Sequence, residues 1–355
     1  MKIALLNTIK PHAGSGDGMT EYTYQLYTKL GKGNKVDAIY PLENSKRNDI
    51  FGLVYANSLF KLRLRKLAKE DYDIIHITNQ ELGFAAKMLK RLGSKARIIT
   101  SIHDLMRVKD EGYHRGMLQD AYSNLVASSV KDAIDFSDYV LFTASTVQKE
   151  GEKRFKRELR NHITTLLCPK EPFRTTKIPA KKSRTFNVGY IGALAFRKNV
   201  IFALRTAKKL MDKEKSVKFL IYGSGAEKEN LMTYKADHNL SSVSFMGFAQ
   251  EGKMMQIYDS FNVFFYPSLE EGSSLPILDA QARGLPVIVL KSNNIDEEVT
   301  RYCYKAKDEA EAARIISELM KKGYPKKQME TSTNYARSFS WDRVASETLA
   351  IYKKA

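Results

Sequence analysis

The sequence predicts an α/β fold made of two Rossmann-like domains, each an open parallel sheet covered by helices, with a cleft between them. Three observations predict it. Short β-branched runs recur along the chain and are apolar at successive positions, as strands buried on both faces require. Amphipathic stretches with helical spacing lie between them, so the crossovers are helical and right-handed. The alternation breaks near residues 169–186, where Pro169, Pro172 and Pro179 interrupt a cation-rich stretch, and restarts at Phe186.

In chain order, strands are expected at 3–7, 73–78, 97–102, 139–143 and 163–167 before the break. After it they are expected at 187–191, 217–222, 243–246, 263–266 and 287–290. Apolar residues at helical spacing predict helices over 19–30, 83–92, 200–210 and 275–282. Ser340 is a suitable N-cap for a last helix beginning at Trp341. The expected organisation is an N-terminal domain over 1–170, a linker over 171–185 and a C-terminal domain over 186–335. The helix in 336–355 is expected to pack back toward the N-terminal domain.

A chain of 355 residues suits two such domains. Lys and Arg number 58 against 40 Asp and Glu, a formal charge of +18. Both halves carry the excess, so it is not a detachable tail. It predicts an anionic partner: nucleic acid, an acidic membrane face or a phosphorylated small molecule. The sequence has no zinc-finger spacing or RNA-binding aromatic motif, so nucleic acid is not expected. Cys168 and Cys303 stand in no metal or redox spacing, which suits a reducing compartment. No run approaches the roughly 20 apolar residues that span a bilayer. The apolar run at 3–6 is too short for a signal-peptide core. A cytoplasmic protein is expected, at most peripheral on the inner face of a membrane. In Lys61-Leu62-Arg63-Leu64-Arg65-Lys66-Leu67 cations alternate with leucines. On a helix these cations could rest on anionic headgroups, or form a solvated face over a core stripe. Arg154, Lys156, Arg157 and Arg160 form a second cluster open to the same two readings.

Several loops at strand ends could carry chemistry. Gly14-Ser15-Gly16-Asp17-Gly18-Met19 opens a helix, and Gly16 and Gly18 would let backbone amides approach a phosphate. A dinucleotide fingerprint needs a third glycine where Met19 stands, so NAD chemistry is disfavoured even with Asp37 at a tolerable distance. Arg197 and Lys198 follow a strand, where open α/β sheets bind ligands and cations could neutralise a diphosphate. Glu271 is expected at a tight turn and Asp279 about two helical turns later on roughly the same face. Such carboxylates could accept hydrogen bonds from sugar hydroxyls, or be a solvated acid and an N-terminal helix acid. Ser273, Ser274 and Pro276 suit the start of that helix. His103, Gly223 and Gly247-Phe248 lie at further strand ends.

Together these stretches resemble the retaining glycosyltransferases of the GT-B fold, family GT4, over nearly the whole chain. Tyr266-Pro267-Ser268-Leu269-Glu270-Glu271-Gly272-Ser273-Ser274-Leu275-Pro276-Ile277-Leu278-Asp279-Ala280, followed by Gly284-Leu285-Pro286-Val287, is very similar to the donor-binding signature of that family. Ile221-Tyr222-Gly223-Ser224-Gly225 resembles its glycine turn, and Phe245-Met246-Gly247-Phe248 the segment that meets the nucleobase. Ile102-His103-Asp104 resembles its N-terminal histidine loop.

The resemblance implies transfer of a hexose from a nucleotide-sugar, such as a UDP- or GDP-sugar, to a hydroxyl acceptor. It implies retention, no metal and no separate cofactor. The acceptor would enter from the N-terminal domain and could be lipid-linked. Carried over by position, Glu271 would contact the donor sugar, His103 would touch it near the reacting face, and Asp279 would bind the ribose. Lys198 with Arg197 would neutralise the diphosphate, assisted by backbone amides near Gly16 and Gly18 and those of Ser273, Ser274 and Leu275. Two departures stand out. The paired-glutamate motif ends in Asp279, and Ala193 occupies a place that often holds Arg. They motivate a second reading, a non-catalytic nucleotide-sugar-binding homologue; a nucleotide-sugar 2-epimerase of the same fold is a third.

Overall fold

The computed structural model describes residues 1–12, 18–41, 50–105, 117–156, 158–159, 168–179, 185–211, 214, 216–272 and 274–354. They form two compact units, one of residues 1–167 with 341–355 and one of residues 168–340. The strand expected at 163–167 lies outside the described residues, as do Arg157 and Arg160.

The first unit is built on a parallel sheet of β1 (Lys2–Leu6), β2 (Lys35–Ile39), β3 (Ile74–Ile77), β4 (Arg97–Ile102) and β5 (Tyr139–Phe142). Their order is β2-β1-β3-β4-β5. The central strands are apolar on both faces because helices cover both. Ile3, Leu5, Ile75, Ile77, Ile98 and Ile99 are all fully buried. The edge strand β2 was not anticipated. Its sequence, Lys-Val-Asp-Ala-Ile, is half-exposed along most of its length because it has a neighbour on one side only. On the helix Ile50–Leu67, Phe60, Leu64 and Leu67 point into the core while Lys61, Arg63, Arg65 and Lys66 stay in solvent. This is the core stripe with a solvated basic face. Leu62, at 62% exposure, shares that face. Among the described residues no helix is long and apolar enough to cross a membrane.

The C-terminal helix Trp341–Lys354 belongs to this first unit. It packs along the helix Gly18–Leu30, with Trp341 against Tyr22 at a centroid separation of 6.2 Å and Lys29 paired to Asp342 at 2.9 Å.

The second unit has a six-stranded parallel sheet: β6 (Phe186–Ile191), β7 (Val217–Tyr222), β8 (Val243–Gly247), β9 (Val263–Tyr266), β10 (Val287–Leu290) and β11 (Tyr304–Ala306). The order is β11-β10-β9-β6-β7-β8. The short edge strand β11 was also missed, because three residues with an exposed lysine at the centre carry no apolar run. The proline-rich stretch after Cys168 is drawn into this unit by Arg283, which is 1% exposed. Its guanidinium pairs with Asp259 at 2.7 Å and donates to the carbonyls of Thr176 and Lys177 at 3.1 and 3.2 Å. A planar fork with donors on three nitrogens suits such a buried junction.

Close backbone packing sets one sharp constraint. A Cβ on Gly189, in the middle of β6, would lie 2.2 Å from the Phe261 ring. Gly189→Ala should therefore destabilise the second unit by about 1–3 kcal/mol through overpacking. A lower thermal midpoint than that of the unmodified chain is the expected result; an unchanged midpoint would contradict the packing.

Candidate functional site

In an open parallel sheet the strand order reverses at one point, and the loops on its two sides diverge to leave a crevice at the strand carboxyl ends. In the second unit that point lies between β6 and β9. The loops leaving these strands carry the charged residues. They are tied together by the Leu269 amide and the Ser268 hydroxyl, which both donate to the Arg197 carbonyl, at 2.9 and 3.1 Å.

Glu271 is the centre of the cluster. Its Oε1 accepts from Lys198 Nζ at 2.5 Å, Ser268 Oγ at 2.5 Å and Tyr266 Oη at 3.2 Å. Its Oε2 accepts from Arg197 Nη1 at 3.0 Å. Lys198 also donates to Tyr266 Oη at 2.8 Å. The side chain of Lys198 is 10% exposed and that of Arg197 48%, so lysine is the inner cation and arginine the outer one. Burial alone would push the Glu271 carboxyl up. The charges of Lys198 and Arg197, with hydrogen bonds from Lys198 and Ser268, outweigh it and hold the carboxyl below its usual range. Burial raises the Tyr266 phenol well above its usual value, and the Glu271 charge adds to this, so the tyrosine stays protonated.

Local backbone places the two cations. Phe196–Lys198 is a single 3-10 turn, and Asn199 closes it at φ +49° before the helix Val200–Met211. Asn tolerates this left-handed position better than most residues. Beside it, the loops after β6 and β7 interlock. The Leu194 amide donates to the Ser224 carbonyl and the Glu227 amide to the Leu194 carbonyl, both at 2.9 Å. A Cβ on Gly223 (φ +144°) would fall 1.8 Å from the Gly192 carbonyl oxygen, and one on Gly225 2.4 Å from that of Leu194. Gly247 ends β8 at φ +76°, and Phe248 after it is 75% exposed.

The signature helix runs from Leu275 to Ala282. Ser274 precedes it, 1% exposed, and its hydroxyl has no hydrogen-bond partner among the described residues. Ser273 lies outside them. Asp279 sits about one turn into the helix, not two as the spacing from Glu271 suggested. The helix starts only at Leu275, after the loop through Gly272 and Ser274. Its carboxylate, 2% exposed, accepts the Lys170 amide at 2.9 Å, so the two acids are held by different partners.

In the first unit the order reverses between β1 and β3. His103, 6% exposed, follows β4. Its amide donates to Gln80 Oε1 at 2.9 Å, and Nε2 lies 2.9 Å from the Thr78 carbonyl oxygen. A carbonyl only accepts, so Nε2 carries the proton. Gly18 is the first residue of the helix Gly18–Leu30, while Gly16 lies outside the described residues. Asp37, on β2, accepts from the Tyr72 hydroxyl at 2.8 Å. Among the described residues no group of three or more His, Cys, Asp or Glu could hold a metal ion.

Sequence reasoning missed Tyr266, Ser268 and Gln80 as contributors. Tyr266 and Ser268 stand in the signature, but their partners Lys198 and Arg197 lie 68 and 71 residues away, so no local spacing marks them.

The depressed Glu271 carboxyl carries a pH consequence. A group whose folded pKa lies below its unfolded value contributes stability above the unfolded pKa and loses it as pH falls through the folded one. Glu271→Gln should therefore lower the thermal midpoint of the second unit at pH 7, and the difference should narrow as pH falls below the ordinary carboxylate range. Parallel midpoint curves for the two chains across this range would refute the pairing.

Comparison with known proteins agrees with this geometry. Residues 185–322 match the family model described as glycosyl transferases group 1. An O-antigen chain mannosyltransferase B of Escherichia coli is 22% identical over 272 residues, covering 72% of this chain and 70% of that protein. A UDP-Gal:alpha-D-GlcNAc-diphosphoundecaprenol alpha-1,3-galactosyltransferase of Escherichia coli is 26% identical over 258 residues, covering 66% and 61%. Among solved structures, WaaG, a glycosyltransferase involved in lipopolysaccharide biosynthesis, aligns with a TM-score of 0.72 at 11% identity over 98% of both chains. HepE of Anabaena, solved with UDP and glucose, aligns with a TM-score of 0.71 at 13% identity over 100% of both. With its two parallel sheets, the chain has the GT-B fold, and its charged crevice lies inside the segment, residues 185–322, that matches the group 1 glycosyl transferases.

Proposed function

We propose that the protein transfers a hexose, with retention and without a metal, from a nucleoside-diphosphate sugar to a hydroxyl acceptor in glycan or glycolipid assembly. The observation that carries this reading is the cluster of buried Lys198 and Glu271 with the half-exposed Arg197 at the switch point of the second sheet. Two cations and a carboxylate are the groups that a diphosphate and a sugar hydroxyl require side by side. A diphosphate arriving beside Lys198 and Arg197 competes with Glu271 for them. The carboxylate so released accepts hydrogen bonds from the sugar.

Backbone amides of Ser274 and Leu275 at the helix start add neutral donors toward the phosphates. Asp279, oriented by the Lys170 amide, takes the ribose hydroxyls. Gly223, Gly247 and the exposed Phe248 border the nucleobase. His103 contacts the donor sugar. In the reaction the bond between the anomeric carbon and the β-phosphate oxygen breaks, and its electron pair stays on the phosphate. The acceptor oxygen bonds to the same face of that carbon, and its proton passes to the departing phosphate. Lys198 and Arg197 stabilise the charge that grows there. The names of two relatives, an O-antigen chain mannosyltransferase and a galactosyltransferase acting on a diphosphoundecaprenol-linked sugar, support a lipid-linked acceptor. We assign contact with an anionic inner membrane face to Lys61, Arg63, Arg65 and Lys66, all exposed on one helix, in a cytoplasmic protein.

A thermal-shift panel of UDP- and GDP-sugars tests the donor. A ligand at about 100 times its Kd adds roughly 2.7 kcal/mol of apparent stability, so one sugar nucleotide should raise the midpoint clearly. No shift with any of them would overturn the reading. Lys198→Ala and Glu271→Ala should each slow nucleoside-diphosphate release by at least about tenfold, the scale of about 1.4 kcal/mol. Arg65→Glu combined with Lys66→Glu should release the protein from acidic liposomes at low salt; equal retention of both chains would remove the membrane assignment.

A further inference from the structure

Four side chains in the first unit, from four different elements, form one buried hydrogen-bonded chain that the donor chemistry does not use. Tyr352 Oη, on the C-terminal helix, lies 2.6 Å from His76 Nδ1 on β3. His76 Nε2 lies 2.8 Å from Ser101 Oγ on β4. Ser101 Oγ lies 3.1 Å from Tyr22 Oη on the helix Gly18–Leu30. Tyr22, His76 and Ser101 are fully buried and Tyr352 is 3% exposed. Burial, with a smaller push from the charge of His103, lowers the His76 imidazole to about 3. It is therefore neutral at ordinary pH and carries a single N–H. It must donate at one nitrogen and accept at the other, so the chain is ordered end to end rather than a set of independent contacts.

The chain ends on a ring that touches a residue of the candidate site. Tyr22 meets the His103 imidazole edge-on, with centroids 5.0 Å apart and planes at 78°. His103 is held elsewhere by Gln80 and by the Thr78 carbonyl. With Nε2 tied to that carbonyl, the Tyr22 ring restricts the remaining freedom of the imidazole. Tyr22 also touches Trp341, so the C-terminal helix reaches the same ring by two routes.

We propose that Tyr22 is a positioning residue for His103, and that the Tyr352–His76–Ser101 chain sets the Tyr22 ring from the C-terminal helix. This rests on the contact to the donor sugar assigned to His103 above. Polar groups are an expensive way to fill a core, since apolar side chains of similar volume pack there without a desolvation cost. A chain that ends on Tyr22 orients one ring, which apolar filling does not do.

The test uses the full chain in three variants. Tyr22→Leu removes the ring, Tyr22→Phe keeps the ring but breaks the bond to Ser101, and Tyr352→Phe breaks the chain at its far end. The first readout is the ¹⁵N imidazole spectrum, which reports the tautomer and environment of each histidine and needs no ligand. Tyr22→Leu and Tyr352→Phe should both move the His103 resonances. The second readout is nucleoside-diphosphate release from the sugar nucleotide giving the largest shift in the panel above. Tyr22→Leu should lower kcat by about tenfold with KM for that donor nearly unchanged, and Tyr22→Phe, which keeps the ring but cuts the chain, should recover only part of the loss, to the level of Tyr352→Phe. A purely structural role would lower the thermal midpoint of each variant and leave kcat per folded molecule and the His103 resonances in place. That result, or equal kcat losses in the Phe and Leu variants, overturns the proposal. If Tyr22→Leu does not fold, Tyr352→Phe carries the spectroscopic arm. If the unmodified chain turns over no sugar nucleotide, the proposed function fails and the spectra alone decide the positioning role.

Discussion

An ionised carboxylate at 6% exposure, as in Glu271, is stable only where cations and donors replace its water. The surroundings of Glu271 meet that condition with groups from two loops. The loop after β6 supplies Lys198 and Arg197, and the end of β9 and its loop supply Tyr266 and Ser268. Tyr266 and Ser268 stand close to Glu271 in the chain, but the two cations are in place only because β6 and β9 are neighbours. The loop-to-loop bonds at the Arg197 carbonyl then hold the two sides in register. Removing either cation would leave buried charge without its partner, which costs far more than the net value of the pair. The crevice is thus both polar and tightly specified.

The two units solve a common problem in different currencies. Each has a parallel sheet whose order reverses once, and each gathers polar side chains at the carboxyl ends of its strands. The second unit does so with formal charges. The first uses neutral groups: Thr78, Asn79, Gln80 and His103 are buried there and joined by hydrogen bonds to carbonyls, amides and hydroxyls. Neutral networks orient side chains without requiring a counter-charge, whereas charged networks need one at every buried ion.

Much of this was legible in the sequence. The buried strands announce themselves because Ile74–Ile77 and Val263–Tyr266 are apolar on both faces. The edge strands β2 and β11 do not, since one-sided pairing leaves Lys35, Asp37 and Lys305 free to be polar. Glu271, Lys198 and Arg197 could be singled out by type and by their place after a strand. Their mutual pairing could not, because it depends on strand order, which local patterns do not encode. The same holds for Tyr22 and His76. Each reads locally as part of an apolar stripe, and only the return of the C-terminal helix makes them members of one chain. Asp279 shows the opposite error. Its helical spacing from Glu271 was counted through residues that are not yet helical.

The interlocked glycine turns have a consequence for how such a chain can diversify. Gly192, Leu194, Gly223 and Gly225 are fastened mainly through backbone atoms, with the Tyr190 hydroxyl donating to the Ala193 carbonyl between them. The residues between and beside them, Ala193, Ser224 and Ala226, face solvent. The shape of this part of the crevice is therefore fixed by main chain, while the chemistry it displays is set by side chains that carry none of the structural load. Substitutions at these outward positions can change the surface the loops present without altering how they fold, so the display can drift over single changes while the architecture stays still.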